Sequence, residues 1–186
     1  MSKTSETKKY TKELKKMFSD KDFARYFDVT NKILTYEDLE KYNTIKDLLP
    51  DEKDFKIILT QTKPNSGHWC CIVRNKNNII WFDSYGVPPD GELKYISKEI
   101  NHQLHQDIHQ IHRLMNTAKA DGLDANYNHH KYQSESDLVC TCGRWCVWAI
   151  LMNNLNYSLE DCKNFINKWS YEKSKPPDIL ICDWII

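Results

Sequence analysis

The chain has 186 residues, with 26 Lys and Arg balanced by 26 Asp and Glu, 40% hydrophobic and 28% charged residues. That length describes one domain with one core, and no run reaches the ~18 consecutive apolar residues of a spanning helix. The amino terminus MSKTSETKKY lacks the apolar core of a secretory signal, so membrane insertion and classical secretion are excluded, and zero net charge argues against a dedicated nucleic-acid binder. Seven Cys, an odd number without a signal, point to reduced thiols rather than a disulfide framework.

Residues 1–25 carry Lys or Arg at eight positions and Asp or Glu at four, with Tyr10, Leu14, Met17 and Phe18 spaced for one helical face. A basic helix preceded by a tail is expected, packed on the domain edge or serving as a binding arm. Thr35 and Asp38 form a capping box ahead of Leu39, Tyr42, Ile45 and Leu48, so a second helical region runs to Pro50, and both helices precede any strand. An acidic stretch from Glu37 to Asp54 offsets the basic start.

The period then changes. FKIILTQT (55–62), HWCCIV (68–73) and NIIWFDS (78–84) are short, apolar and rich in β-formers, which predicts consecutive antiparallel strands. A four-residue loop at 74–77 would pair Val73 with Asn78 and place His68 opposite Asp83. After GVPPDG a long helix is expected over 91–118, with Ile100, Leu104, Ile108, Ile111 and Leu114 on one face. His102, His105, His109 and His112 fall on the other as a solvent-facing stripe, with a zinc site from His105, His109 and His112, which no acid or Cys completes, as the alternative. The loop DGLDANYNHH and an extended piece at 131–134 lead to CGRWCVWAILMNN, a buried helix beginning at Cys142. Ser158 and Asp161 cap a further helix holding Leu159, Cys162, Phe165, Ile166 and Trp169, and KPPDILICDWII ends the chain as a strand or packed tail.

Three features carry chemistry: Gly67-His68-Trp69 opening a strand, Phe82-Asp83-Ser84 closing its partner, and Cys142-Gly143 entering an apolar helix. A thiol at a helix amino terminus faces unpaired amides and the positive end of the macrodipole, a setting suited to an anionic nucleophile. His68 supplies a base, Asp83 an orienting carboxylate, and Gly143 leaves room for close approach of a substrate. Gln133, nine residues before Cys142, brings an amide that can donate to an oxyanion together with the Cys142 backbone N–H. Taken alone, His68 reads as a satisfied sheet histidine and Asp83 as a turn cap; taken together they read as a site. Cys70, Cys71, Cys146, Cys162 and Cys182 lie in apolar runs and read as buried core residues.

The order His68, Asp83, Gln133, Cys142, with Trp after the His and Gly after the Cys, resembles the adenovirus-type maturation proteases and the related ubiquitin-like-protein-specific proteases. TCGRWC and YQS look closest to the viral branch, including giant-virus and virophage members, and the likeness covers roughly residues 55–155 of a single domain spanning 1–186. It implies an α+β fold, a central mixed sheet flanked by helices, papain-like with the catalytic order permuted. It implies a cysteine endopeptidase in which Cys142 is the nucleophile, His68 the base and then acid, Asp83 the orienter and Gln133 an oxyanion donor, with Trp69 and Gly143 at the substrate cleft. The Gln133 to Cys142 separation is wider than the family's usual one. Cys140 sits nearer to Gln133 but is followed by Thr141 rather than Gly.

Substrates implied by the viral branch are capsid or scaffold precursors cut beside Gly or Ala-Gly sites during virion maturation, in the virion and the reducing host cytoplasm. The other branch implies ubiquitin-like tails. No cofactor, metal or membrane is called for, a monomer is expected, and a DNA or peptide activator has no support beyond the basic segment Lys8 to Lys21. The competing classes are a zinc-binding module built on Cys140, Cys142 and Cys146 with Cys70 or Cys71, and a dead relative that only binds a ubiquitin-like partner. Lys outnumbers Arg 22 to 4, a composition that fits an AT-rich viral genome.

Overall fold

A computed structural model describes residues 10–186. It is an α+β architecture with a five-stranded mixed sheet in the order β1-β2-β3-β4-β5, flanked by helices. The strands are β1 (Ile33–Thr35), β2 (Phe55–Lys63), β3 (Ser66–Asn75), β4 (Asn78–Phe82) and β5 (Asp124–Tyr127). β2, β3 and β4 are antiparallel neighbours, while the edge strands β1 and β5 pair in parallel with β2 and β4. Phe55 to Gln61 of β2 are buried without alternation, as expected of a central strand covered on both faces.

Each face of the sheet carries its own core. On one, Ile57, Leu59, Trp69, Cys71 and Val73 pack against α6 (Cys142–Asn154) and α8 (Pro177–Trp184). On the other, Ile58, Cys70, Ile72, Ile79 and Trp81 meet α3 (Ile45–Leu48) and α5 (Gln110–Asn116). α6 is apolar nearly all round and buried over most of its length, which makes it the central helix. α7 (Leu159–Lys173) follows, opened by the expected capping box: Asp161 N donates to Ser158 Oγ at 3.1 Å, and Ser158 N donates to Asp161 Oδ2 at 3.0 Å.

Several expectations are corrected. The amino-terminal helix does not run to residue 25. The described part of α1 covers 10–15, extended chain follows, and α2 (Asp20–Phe23) starts afresh at Ser19, while the basic positions before residue 10 lie outside the described residues. Phe18 is buried but Met17 is exposed, because the break turns them apart. The region before Pro50 is a 3-10 turn (Glu37–Lys41) and the short α3 rather than one helix, and β1 precedes both. Thr35 and Asp38 do form their predicted bonds, with Thr35 N and Oγ1 both donating to Asp38 Oδ2 at 2.8 Å.

The β3–β4 turn is two residues, not four. Asn75 pairs with Asn78, and Lys76 takes the left-handed conformation with φ 54°. Opposed residues therefore sum to 153 instead of the expected 151. The long helix over 91–118 is also broken, into a 3-10 turn (Leu93–Tyr95), α4 (Lys98–Gln103) and α5, with His105 at φ 51° between the last two. That break exposes Ile108 and scatters the histidine stripe; His102 Nδ1 instead lies 2.8 Å from Asp107 Oδ2. The loop DGLDANYNHH contains β5, and the carboxy-terminal segment is the helix α8 with Pro177 in its first turn, where a missing N–H costs nothing.

Candidate active site

β3 outruns β4. Their ladder stops at Cys71 and Phe82, so residues 66–70 project past β4 and keep only their pairing to β2. The turn after β4, the segment around Asn128 to Gln133 and the start of α6 fill the space. Asp83 N donates to Asn128 Oδ1 at 2.8 Å, Asn128 Nδ2 donates to Asp83 O at 2.7 Å, and the backbone N–H groups of Tyr132 and Gln133 both donate to Ser84 O. α6 is registered by Cys146, whose Sγ lies 3.3 Å from Trp69 O. Cys142 is four residues earlier, one turn along the same helix face, and so comes to the His68 end of β3.

His68 sits between two carboxylates. Its Nε2 is 2.9 Å from Glu92 Oε1 and 3.4 Å from Asp83 Oδ1. Both approaches are oblique to the ring N–H, and Nε2 makes no aligned hydrogen bond although it is sealed from water. Tyr85 stacks on the imidazole at 5.0 Å between centroids with planes 22° apart. Asp83 is wholly buried and accepts the Tyr85 N–H at 2.6 Å.

The charges respond to one another. Burial disfavours the imidazolium of His68, but Glu92 first, then Cys70, Cys142 and Asp83, hold its pKa well above the ordinary value. Burial raises the Asp83 carboxyl, yet its closeness to the Glu92 carboxyl and the His68 ring, and the Tyr85 N–H it accepts, outweigh burial and leave Asp83 lowered. Glu92 yields instead: burial, opposed by His68 and reinforced by Asp83, pushes it up to about 7. Two acids facing one imidazolium cannot both stay ionised cheaply out of water, and Glu92 is the one that takes the proton.

His68, Asp83 and Cys142 are thus brought to one place. Gln133 is also there, buried, with its amide engaged: Nε2 donates to Tyr85 Oη and to Val139 O, both at 2.9 Å, while Oε1 accepts from Ser84 Oγ at 2.9 Å. The other two expected residues face differently from the reading above. A Cβ on Gly143 would come 2.5 Å from Phe18 Cβ, so the room left by this glycine is filled by the chain's own Phe18. Trp69 Nε1 donates to Phe18 O at 2.9 Å, and the ring borders a surface groove of about 670 Å³ with Gly67, Met17 and Phe18. Cys140 lies two residues before the helix, and burial, with Cys142 beside it, pushes its thiol up. Cys70, Cys71, Cys146, Cys162 and Cys182 are buried as expected.

The set Cys140, Cys142, Cys146 with Cys70 or Cys71 does not gather as a metal site among the described residues. Cys146 is spent against Trp69 O, and Cys71 Sγ lies 3.9 Å from Cys146 O within the core.

Two residues were missed. Glu92 was assigned to a helix, although an acid just past a turn rich in Pro and Gly was the available signal. Asp178, at the start of α8, is buried and accepts from Thr141 Oγ1 at 2.6 Å, Ser134 N at 2.9 Å and Trp145 Nε1 at 3.2 Å, which anchors the chain on either side of Cys142. Nothing in its sequence neighbourhood marks that role.

The chain is 32% identical over 172 residues to Uncharacterized protein V9 of the Sputnik virophage, across 87% of this chain and 90% of that one. It belongs to the family of that virophage protein. No protein-family model matches the chain, and no solved structure does. Among the described residues no helix is long and apolar enough to cross a membrane.

Proposed function

We propose that the protein is a cysteine endopeptidase with a papain-like core in permuted order, acting in virion maturation on capsid or scaffold precursors beside small residues. The observation that carries this reading is an imidazole set between Asp83 and Glu92, at the end of β3 that the amino terminus of α6 approaches with Cys142. The Cys142 thiolate adds to the scissile carbonyl carbon, and the carbonyl oxygen takes the negative charge. His68 then gives its proton to the leaving amine, the acyl-enzyme forms, and His68 draws a proton from the water that releases it. Asp83 and Glu92 orient the ring and favour its charged form through Nε2, leaving Nδ1 to serve the sulfur.

The oxyanion meets the Cys142 backbone N–H and the Gln133 amide, the latter once the substrate oxygen replaces Val139 O or Tyr85 Oη as its acceptor. Kinship with a virophage protein supports the viral setting. The test is incubation of wild type and Cys142→Ala with the virus's own capsid precursors and, separately, with ubiquitin-like fusions. Cleavage of the precursors by wild type alone is expected. Cleavage of only the fusions would reassign the substrate, and cleavage by the alanine variant would reject the nucleophile.

A further inference from the structure

The β3–β4 register that replaced the expected one has a chemical result. With opposed residues summing to 153, Cys70 falls across from Asp83, and His68 lies two residues along the same strand. Cys70 Sγ is 3.7 Å from Asp83 Oδ2 and 3.5 Å from Glu92 Oε2. With the two histidine contacts at 2.9 and 3.4 Å, four ligand atoms, one each from His68, Cys70, Asp83 and Glu92, lie within 4.8 Å of one another. Bonds of ~2.0–2.3 Å to a tetrahedral zinc ion imply ligand-to-ligand edges of ~3.3–3.7 Å, so a set already within 4.8 Å closes on an ion with side-chain shifts of about 1 Å.

We infer that His68, Cys70, Asp83 and Glu92 form a binding site for a zinc-class divalent cation. Thiolate and imidazole together select zinc over magnesium or calcium, whose sites are built from oxygen. Cys70 and Asp83 form the closed back of the site, and His68 and Glu92 open onto a cleft of about 410 Å³ that gives the ion a way in. The orphaned Nε2 of His68 gains a partner, and the divalent charge offsets the buried thiolate and carboxylates that ligation leaves ionised. On binding, Cys70, Glu92 and the His68 Nε2 release their protons to solvent. Where the protease reading holds, and this consequence alone rests on it, the ion occupies Nε2 and leaves the remaining ring proton on Nδ1, so His68 can no longer take a proton from the Cys142 thiol or from water. Zinc is then a reversible inhibitor acting from behind the histidine rather than on Cys142.

The test is titration of the full, reduced protein with zinc alone against a chromogenic chelator, with cobalt absorption reporting thiolate ligation. One equivalent is expected to bind wild type and Cys142→Ala alike, with a thiolate-to-cobalt band. Cys70→Ala should abolish the band, and Glu92→Gln, at the cleft wall, should weaken binding by ~100-fold or more, beyond the usual loss of an outer-shell partner. Circular dichroism confirms folding of each variant. Absence of stoichiometric binding by wild type overturns the site, as does binding that survives in Cys70→Ala and Glu92→Gln but disappears in Cys142→Ala. Because no substrate enters this experiment, its failure leaves the protease reading standing, and failed cleavage in zinc-free buffer leaves the metal site standing.

Discussion

Glu92 is the residue whose titration can be followed most directly. Its pKa rises from 4.5 to about 7 on folding, so the native state holds a proton that the unfolded chain has already lost. Stability attributable to Glu92 is therefore full below about pH 4.5 and falls as pH rises towards about 7, by about 3–4 kcal/mol at ~1.4 kcal/mol per pKa unit. His68, also raised, contributes stability that is full below its ordinary 6.5 and lost as pH climbs through its higher folded value, while Asp83, lowered, loses its contribution only under acid, below 3.8. Melting temperature should fall between pH 5 and 8 in wild type, with a visibly shallower slope in Glu92→Gln; equal slopes would show that Glu92 does not titrate there. At Gln133, replacement by Ala should lower turnover by about 10²–10³-fold, the cost of one oxyanion donor, whereas Ser84→Ala, which removes only a bond to the amide oxygen, should cost much less. Comparable effects from both would assign Gln133 a packing role. The gathering of Cys142, His68 and Asp83 was legible because each sits at a recognisable strand or helix end. Glu92 was not, since what brings it to His68 is the path of a turn that no periodicity encodes.

At the level of elements, the site depends on how α6 is seated. Arg144 is wholly buried two residues after Cys142: Nη2 meets Glu13 Oε2 at 2.8 Å, Nε donates to Ile185 O and Nη1 to Lys16 O. It thereby ties Glu13, Lys16 and Ile185 to α6. Arg144→Leu strands the Ile185 and Lys16 carbonyls and leaves Glu13, itself partly exposed, without its partner, so the urea midpoint should shift downwards, a loss of about 2–3 kcal/mol. A change under 1 kcal/mol would mean that Glu13 and the two carbonyls find water instead. Asp178→Ala strands three donors and should cost about 3 kcal/mol while loosening the entry to α6. Gly143→Ala drives a methyl into the Phe18 Cβ, and the added change Phe18→Gly, which removes that Cβ, should recover part of the loss; a simple sum of the two effects would contradict that contact. The strands at 55–62, 68–73 and 78–84 and the helices opening at Cys142 and Ser158 were readable from apolar runs and capping pairs. β1 and β5 were not, because three or four residues added in parallel to a sheet edge are stabilised by their neighbours rather than by their own pattern. The broken helix at 91–118 deceived in the opposite sense, its apolar spacing continuing past a left-handed residue at His105.

Across the whole molecule, sequence order and spatial order diverge, and the divergence makes the site. A sheet whose middle strand outlasts its partner leaves an opening, and chain from β4, from the turn before α4, from the segment around Gln133 and from α6 closes it. Helices on both faces bury the strands, and α8 and the amino-terminal segment lock the central helix in place. The claim on which the account turns is that Cys142 is a nucleophile served by His68. It is tested most directly by treating the reduced protein with a short peptide ending in Gly and carrying an electrophilic trap in place of the scissile bond, then mapping the modified thiol by mass spectrometry. The account predicts one adduct per chain, on Cys142, formed at least about 100-fold more slowly in His68→Ala. An adduct on Cys140 or any other thiol, or a rate on Cys142 indifferent to His68, would contradict it.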